Sequence, residues 1–250
     1  CRLFVREPRG ISLTEEGELL YSHVEIAYRH LINAQEEIYR QDSGRCGTVE
    51  IGVTETALHL FLLNALRGFK LEYPAIRIKI HNHTTPETVG HLISGKLDFA
   101  VVTTPFEVPK NVSCVKVLDF EEILVGGMQY ENLRKGALEL EEIKNYPWVG
   151  LGKESAAYRW YKDFFISHKI DIEPDMEVAT FDLIENNFGI GFVPGKLAQP
   201  LLEEGRIVQI PVKCHIPGRS IQMLADKGRG KGMAADTLYR YLIRNSALGC

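Results

Sequence analysis

Between residues 48 and 102 the hydrophobic period changes four times, and this rhythm constrains the fold more than any other feature. "TVEIGV" (48–53) is a short β-run, and "ALHLFLLNALRGFKLEY" (57–73) carries helical apolar spacing that stops at Pro74. "IRIKI" (76–80) alternates as a strand does, and "PETVGHLISG" (86–95) reads as a second helix, with Thr85 as its cap and Pro86 at its first position. "LDFAVV" (97–102) is a continuous apolar run of the kind buried on both faces. A β-α-β-α-β order of this kind predicts a parallel, doubly wound sheet with helices on its faces.

A similar pattern follows. Strands are expected at "EEILVGG", "PWVGL", "MEVAT" and "GIGFVP", and helices at "LEEIKNY" and "AAYRWYKDFFISH". "KLAQPLLEEG" and "RIVQIPV" come next, then a last strand, "SIQMLADKG", and an amphipathic "MAADTLYRYLIRNSA" that can return to the first unit. The predicted organisation is therefore bilobed. Residues 48–118 with 219–250 form one α/β subdomain, and 119–218 form the other.

Ahead of the lobes, Thr14 followed by Glu15 and Glu16 is a helix start: a capping hydroxyl, then acids at the positive end of the dipole. Leu20, Val24, Ala27, Leu31, Ala34 and Ile38 then recur at alternating steps of four and three. This narrow stripe, with two alanines that permit close approach, predicts a dimerising helix over 14–42 rather than a helix lying on its own domain. "QDSGRCG" (41–47) breaks it as a hinge.

Composition excludes several classes. Two hundred and fifty residues, 45% of them apolar, suffice for one large domain or two modest ones. A net charge of −4 means that any DNA-contacting surface is local. The five scattered cysteines include no Cys-x-x-Cys pair, which points to free thiols in a reducing cytoplasm. No apolar run reaches the roughly 18–20 residues of a membrane span. The expectation is a soluble, cytoplasmic protein with no membrane partner.

Catalytic signatures are missing: there is no Gly-x-Ser-x-Gly elbow, phosphate-loop motif or His-Glu-x-x-His. "GRGKG" (228–232) reads as a solvated turn. His81 and His83 share one strand face, but with no third ligand in view no metal is assigned to them. The acid pairs Glu121-Glu122, Glu141-Glu142 and Glu203-Glu204 fit exposed faces. Hydroxyl residues, by contrast, collect where strands end and helices begin: Thr54 and Thr56, Thr84 and Thr85, Thr103 and Thr104. In open α/β sheets that edge is the ligand crevice, and helix N-termini there favour anions. Ser155 and Thr180 offer the same groups from the second lobe. Each one singly is an ordinary cap, but their recurrence at equivalent strand ends predicts a shared site. Glu55 would repel a plain anion there and can instead hold an ammonium group.

Four stretches, in order, resemble a LysR-type transcriptional regulator: "LFVREPRGISLTEEGELLY", "GTVEIGVTETALHLFLLNALRGFKLEYPAIRIKI", "LISGKLDFAVVTTP" and "NNFGIGFVP". The resemblance spans essentially the whole chain, and the first stretch is its most specific part. It implies a two-lobed effector domain like periplasmic binding proteins, a linker helix, and a winged helix-turn-helix of which residues 1–13 are the wing remnant. Arg6 and Arg9 would then reach DNA, and a helix-turn-helix in front of Cys1 would complete the core around Leu3 and Phe4. The resemblance further implies a homodimer or homotetramer, operator DNA as partner of the intact protein, and no cofactor. A small metabolite, often a carboxylate or amino-acid-like molecule, would bind at Thr54, Glu55, Thr56, Thr85, Thr103, Ser155, Thr180 and Phe181. The family pattern carries about one more helical turn between Ile184 and Glu185, which leaves the helix after Thr180 open. The rival readings are a solute-binding protein of a transport system, and an enzyme on the same fold, for which no catalytic pair is found.

Overall fold

Thr14 caps its helix as its position before the glutamates predicts. In the computed structural model, which describes residues 1–7, 10–39, 46–177 and 180–246, its Oγ1 accepts from Gly17 N at 3.0 Å and donates to Arg2 O at 2.6 Å. Strands β1 (Phe4–Glu7) and β2 (Gly10–Leu13) pair as an antiparallel hairpin and lead into α1 (Glu15–Tyr39). The chain doubles back tightly enough that a Cβ on Gly17 would collide with Leu3 O. Along α1, the predicted seam residues Leu20, Val24 and Leu31 are 46%, 52% and 69% exposed. Ala34 and Ile38 carry side chains outside the described set, and the hinge residues 41–45 lie outside the described residues altogether.

The first lobe follows the predicted rhythm. Strand β3 (Gly47–Val53) leads into α2 (Glu55–Ala57), which continues through a π-helical turn, Leu58–Leu62, into α3 (Leu63–Glu72). Next come β4 (Ile76–Asn82), α4 (Thr85–Ile93) and β5 (Phe99–Thr103). Strand β3 pairs in parallel with both β4 and β5. The cap of α4 is Thr84, not Thr85. Thr84 is extended (φ −63°, ψ 160°), and its N–H and Oγ1 donate to Glu87 Oε2 at 3.0 and 2.9 Å. Thr85 is thereby the first helical residue and Pro86 the second.

Strand β6 (Val112–Phe120) has no counterpart in the sequence reading. It mixes buried and exposed residues irregularly and is drawn into the sheet by a partner a hundred residues away. That partner is the strand Arg219–Asp226; a bulge at Ile221/Gln222 in their pairing blurs the alternation.

The second lobe contains β7 (Glu122–Gly127), β8 (Val149–Gly150), α5 (Ala156–Ser167), β9 (Met176–Glu177), α6 (Thr180–Glu185), β10 (Ile190–Pro194), α7 (Gly195–Glu203) and β11 (Ile207–Gln209). Strand β7 lies between β10 and β11, antiparallel to both, and β8 pairs in parallel with β9. The segment expected as a helix after residue 139 is a 3-10 turn, Leu140–Asn145. Short as it is, α6 does form; Asn187, at φ 65°, then turns the chain into Gly189.

The chain returns through β12 (Arg219–Asp226), which pairs antiparallel with β5 and β6 to give the order β4-β3-β5-β12-β6. Helix α8 (Met233–Ser246) closes the first lobe, with Leu238 and Leu242 fully buried in the cluster that holds Ile51, Phe69 and Phe99. "GRGKG" is the bend before it, where Gly228 N donates to Asp226 Oδ1 at 2.8 Å. The second-lobe core is aromatic: Trp148 meets Tyr161, Phe165 and Phe192 edge-on, with centroids 5.7, 5.4 and 5.3 Å away. Among the described residues no helix is long and apolar enough to cross a membrane.

Gly189 and Gly191 explain the glycine-rich strand. A Cβ on either would run into backbone of the neighbouring segment, Pro147 O for the first and Val149 O for the second. Gly191→Ala is therefore expected to push β8 off β10 and cost about 1–3 kcal/mol, the usual penalty for overpacking a rigid core. Urea unfolding of the variant should show the lowered midpoint, and an unchanged midpoint would contradict this packing.

Candidate functional site

A cavity of about 420 Å³ opens between the two sheets. From the first lobe come Glu55, Thr56, His59 and Arg219; from the second come Trp148, Trp160, Phe181, Asp182 and Phe192. The parallel β3–α2 connection places Glu55 and Thr56 there, since a helix must start where such a strand ends. The π-helical turn that follows carries His59, whose Nε2 sits 2.9 Å from Glu55 Oε1. Asn82 Nδ2 also donates to Glu55 Oε2, so two groups hold this carboxylate. Phe181 and Asp182 come from the first turn of α6. The indole N–H of Trp160 is buried and meets no acceptor.

The sequence-predicted residues divide into two sets. Glu55, Thr56 and Phe181 line the cavity. The hydroxyls of Thr54, Thr85 and Thr103 do not share that space, because all three residues are buried behind it, 8%, 1% and 3% exposed. Thr54 is the extended residue that precedes α2, and its Oγ1 has no partner. Thr85 Oγ1 donates to Thr103 O at 3.2 Å, stitching α4 to β5. Thr103 Oγ1 accepts from Arg219 Nη2 at 3.1 Å. Ser155 is a helix cap, accepting from Tyr158 N at 3.0 Å. Thr180 begins α6, with its side chain outside the described set. Arg6 is exposed on β1, and Arg9 lies outside the described residues.

Arg219 and Glu122 are the site residues that the sequence reading missed, and Glu122 corrects its exposed-face assignment. Both side chains are only 3% exposed, and Arg219 Nη1 donates to Glu122 Oε1 at 2.6 Å. Arg219 Nε also donates to Thr104 O at 2.8 Å. The guanidinium carbon lies 5.4 Å from the Phe120 ring centre and 5.9 Å from that of Trp160. Burial pushes the Glu122 carboxyl above the usual range, opposed by the guanidinium beside it. A signal did exist. In "EEILVGG" Glu122 shares a strand face with Leu124 and Gly126, whereas Glu121 does not.

His81 and His83 acquire a neighbour that spacing alone did not reveal. The His83 and His91 rings lie 4.7 Å apart, edge to face, and His81 stacks 6.4 Å from His83. Yet His81 Nε2 is 2.6 Å from Glu50 Oε2, whose other oxygen accepts from Lys79 at 2.6 Å. Among the described residues no group of three or more such side chains is placed to hold a metal ion.

Removing one partner of the buried pair leaves an uncompensated charge. Arg219→Met is expected to cost about 3–5 kcal/mol, and Arg219→Met with Glu122→Leu to recover most of it. In the single variant, buried Glu122 binds its proton more tightly folded than unfolded. Stability should therefore fall as pH rises from about 5 towards 8, through the window above the ordinary carboxylate value. Urea titrations at several pH values measure both effects, and a double variant no more stable than the single one would count against the pair.

The family description "LysR substrate binding domain" matches residues 42–247. The chain is 20% identical over 250 residues to a probable RuBisCO transcriptional regulator of Nostoc sp., covering 96% of this chain and 74% of that one. It is 25% identical over 219 residues to the HTH-type transcriptional regulator TdcA of Escherichia coli K12, covering 86% and 70%. Among solved structures, the effector binding domain of QuiR in complex with shikimate superposes with a TM-score of 0.71 at 15% identity, covering 82% of this chain and 99% of that one. The fold, the two-lobed cavity and these relatives together show that the chain belongs to the LysR family of transcriptional regulators, with residues 42–247 as its substrate-binding domain.

Proposed function

We propose that this regulator senses a small metabolite in the cavity between its lobes and converts occupancy into a change in how paired DNA-binding elements are held. The observation that carries this reading is the cavity itself, whose walls come from both lobes. A molecule touching both walls binds the closed arrangement more tightly than the open one, and only such a difference in affinity shifts a conformational equilibrium. That the QuiR domain holds shikimate is consistent with a cleft of this size accepting a small polar molecule. The protein acts by binding, with no bond made or broken.

Output would pass through α1. Its exposed Leu20, Val24 and Leu31 form an apolar stripe suited to a second copy of the chain, as dimer or tetramer. Arg6, exposed on the hairpin, would add a phosphate contact in the intact protein on DNA.

Two measurements test these halves separately. Trp148 and Trp160, the two tryptophans of the chain, both line the cavity, so effector binding should shift or quench intrinsic fluorescence. An effector that binds with no change in tryptophan emission would place the site elsewhere. Sedimentation should find at least a dimer at micromolar concentration, and Leu31→Lys, which puts a charge into the seam, should weaken association by several kcal/mol, roughly a hundredfold or more. A monomeric parent chain would remove α1 from the mechanism.

A further inference from the structure

The charge in the cavity has the wrong sign for a simple anion. Its walls carry three carboxylates, Glu55, Glu122 and Asp182, against the guanidinium of Arg219 and the imidazole of His59. That guanidinium is already committed, to Glu122 at 2.6 Å, Thr104 O at 2.8 Å and Thr103 Oγ1 at 3.1 Å. An anion entering here meets a neutralised arginine with a carboxylate beside it.

The two remaining acids come from different lobes. Glu55 starts α2 in the first lobe, held by His59 and Asn82, and exposed Asp182 lies in the first turn of α6 in the second. Bringing the lobes together gathers two like charges, and a cation between them turns that repulsion into attraction. The adjacent wall is aromatic, with Trp148, Trp160, Phe181 and Phe192 lining the same cavity. Ring faces attract ammonium groups, more strongly when both are desolvated.

We infer that the effector carries an ammonium group, seated between Glu55 and Asp182, on an apolar body that packs against the aromatic wall. The ligand is an amine or an amino acid with an apolar side chain, rather than a carboxylate alone. The inference rests on the cleft reading above and narrows it to a chemical class.

Calorimetry with three probes that share a phenyl body tests it: phenethylamine, phenylalanine and 3-phenylpropionate. The two amine-bearing probes are expected to bind, with the plain acid at least about tenfold weaker. Glu55→Gln with Asp182→Asn, isosteric and at exposed positions, should weaken both amines about tenfold or more while leaving the melting temperature of the free protein in place. Ala157 also lines the cavity, and Ala157→Phe, checked for an intact melting transition, should block all three probes. If the acid binds as tightly as the amines and Ala157→Phe blocks it, the ammonium assignment fails while the cleft reading stands. If amine binding survives Ala157→Phe, both fail. Unchanged amine affinity in the double variant, or no response from any probe at millimolar concentration, overturns the ammonium assignment.

Discussion

The buried pair between Arg219 and Glu122 is the interaction on which the arrangement of the two lobes depends. Arg219 opens β12 in the first sheet and Glu122 opens β7 in the second, so their contact joins the two sheets beside the points where the chain passes between them. Two charges removed from water carry a desolvation penalty of several kcal/mol each, which is offset only when geometry and further hydrogen bonds are good. Here the guanidinium also satisfies Thr104 O and Thr103 Oγ1, tying the end of β5 to the same point. The pair thus sets where the lobes meet more than how stable they are. It also engages one of the cavity's carboxylates, leaving those of Glu55 and Asp182 without a guanidinium partner.

The cores on either side of that junction differ in kind. In the first lobe Ile51, Leu62, Phe69 and Leu238 pack a mainly aliphatic interior between sheet and helices, with the return of α8 sealing it. In the second, Trp148, Trp160, Phe165 and Phe192 form a network of edge-on rings. Members of this network also line the cavity, so the groups that stabilise the second lobe are the surface it offers a ligand. Rings of this kind are large and rigid and lose little freedom on burial, which suits both tasks.

Much of this was legible from the residues in order. The change of period over 48–102 marks parallel strands joined by helices, because a strand and a helix place apolar groups on one face at different intervals. Thr14 as cap, the exposed stripe on α1 and the strand-end position of Glu55 and Thr56 follow from equally local rules. Of the predicted hydroxyl cluster, Thr56 lines the cavity, whereas Thr54, Thr85 and Thr103 are buried. Whether Thr54, Thr85 and Thr103 meet the cavity or lie behind it depends on how α4 and β12 pack, which no local rule states.

What the sequence by itself determined is therefore the kind and order of the elements, since propensity, periodicity and capping act over a few residues. Tertiary structure alone decided that Arg219 answers buried Glu122 across 97 residues of chain, and that Asp182 lines the same cavity as Glu55. It likewise made a strand of 112–120, by supplying β12 as a partner. The physical reason is common to all of these. A charge or a half-polar strand is stable inside a protein only if a partner satisfies it there, and the chain reveals that partner only once it has folded.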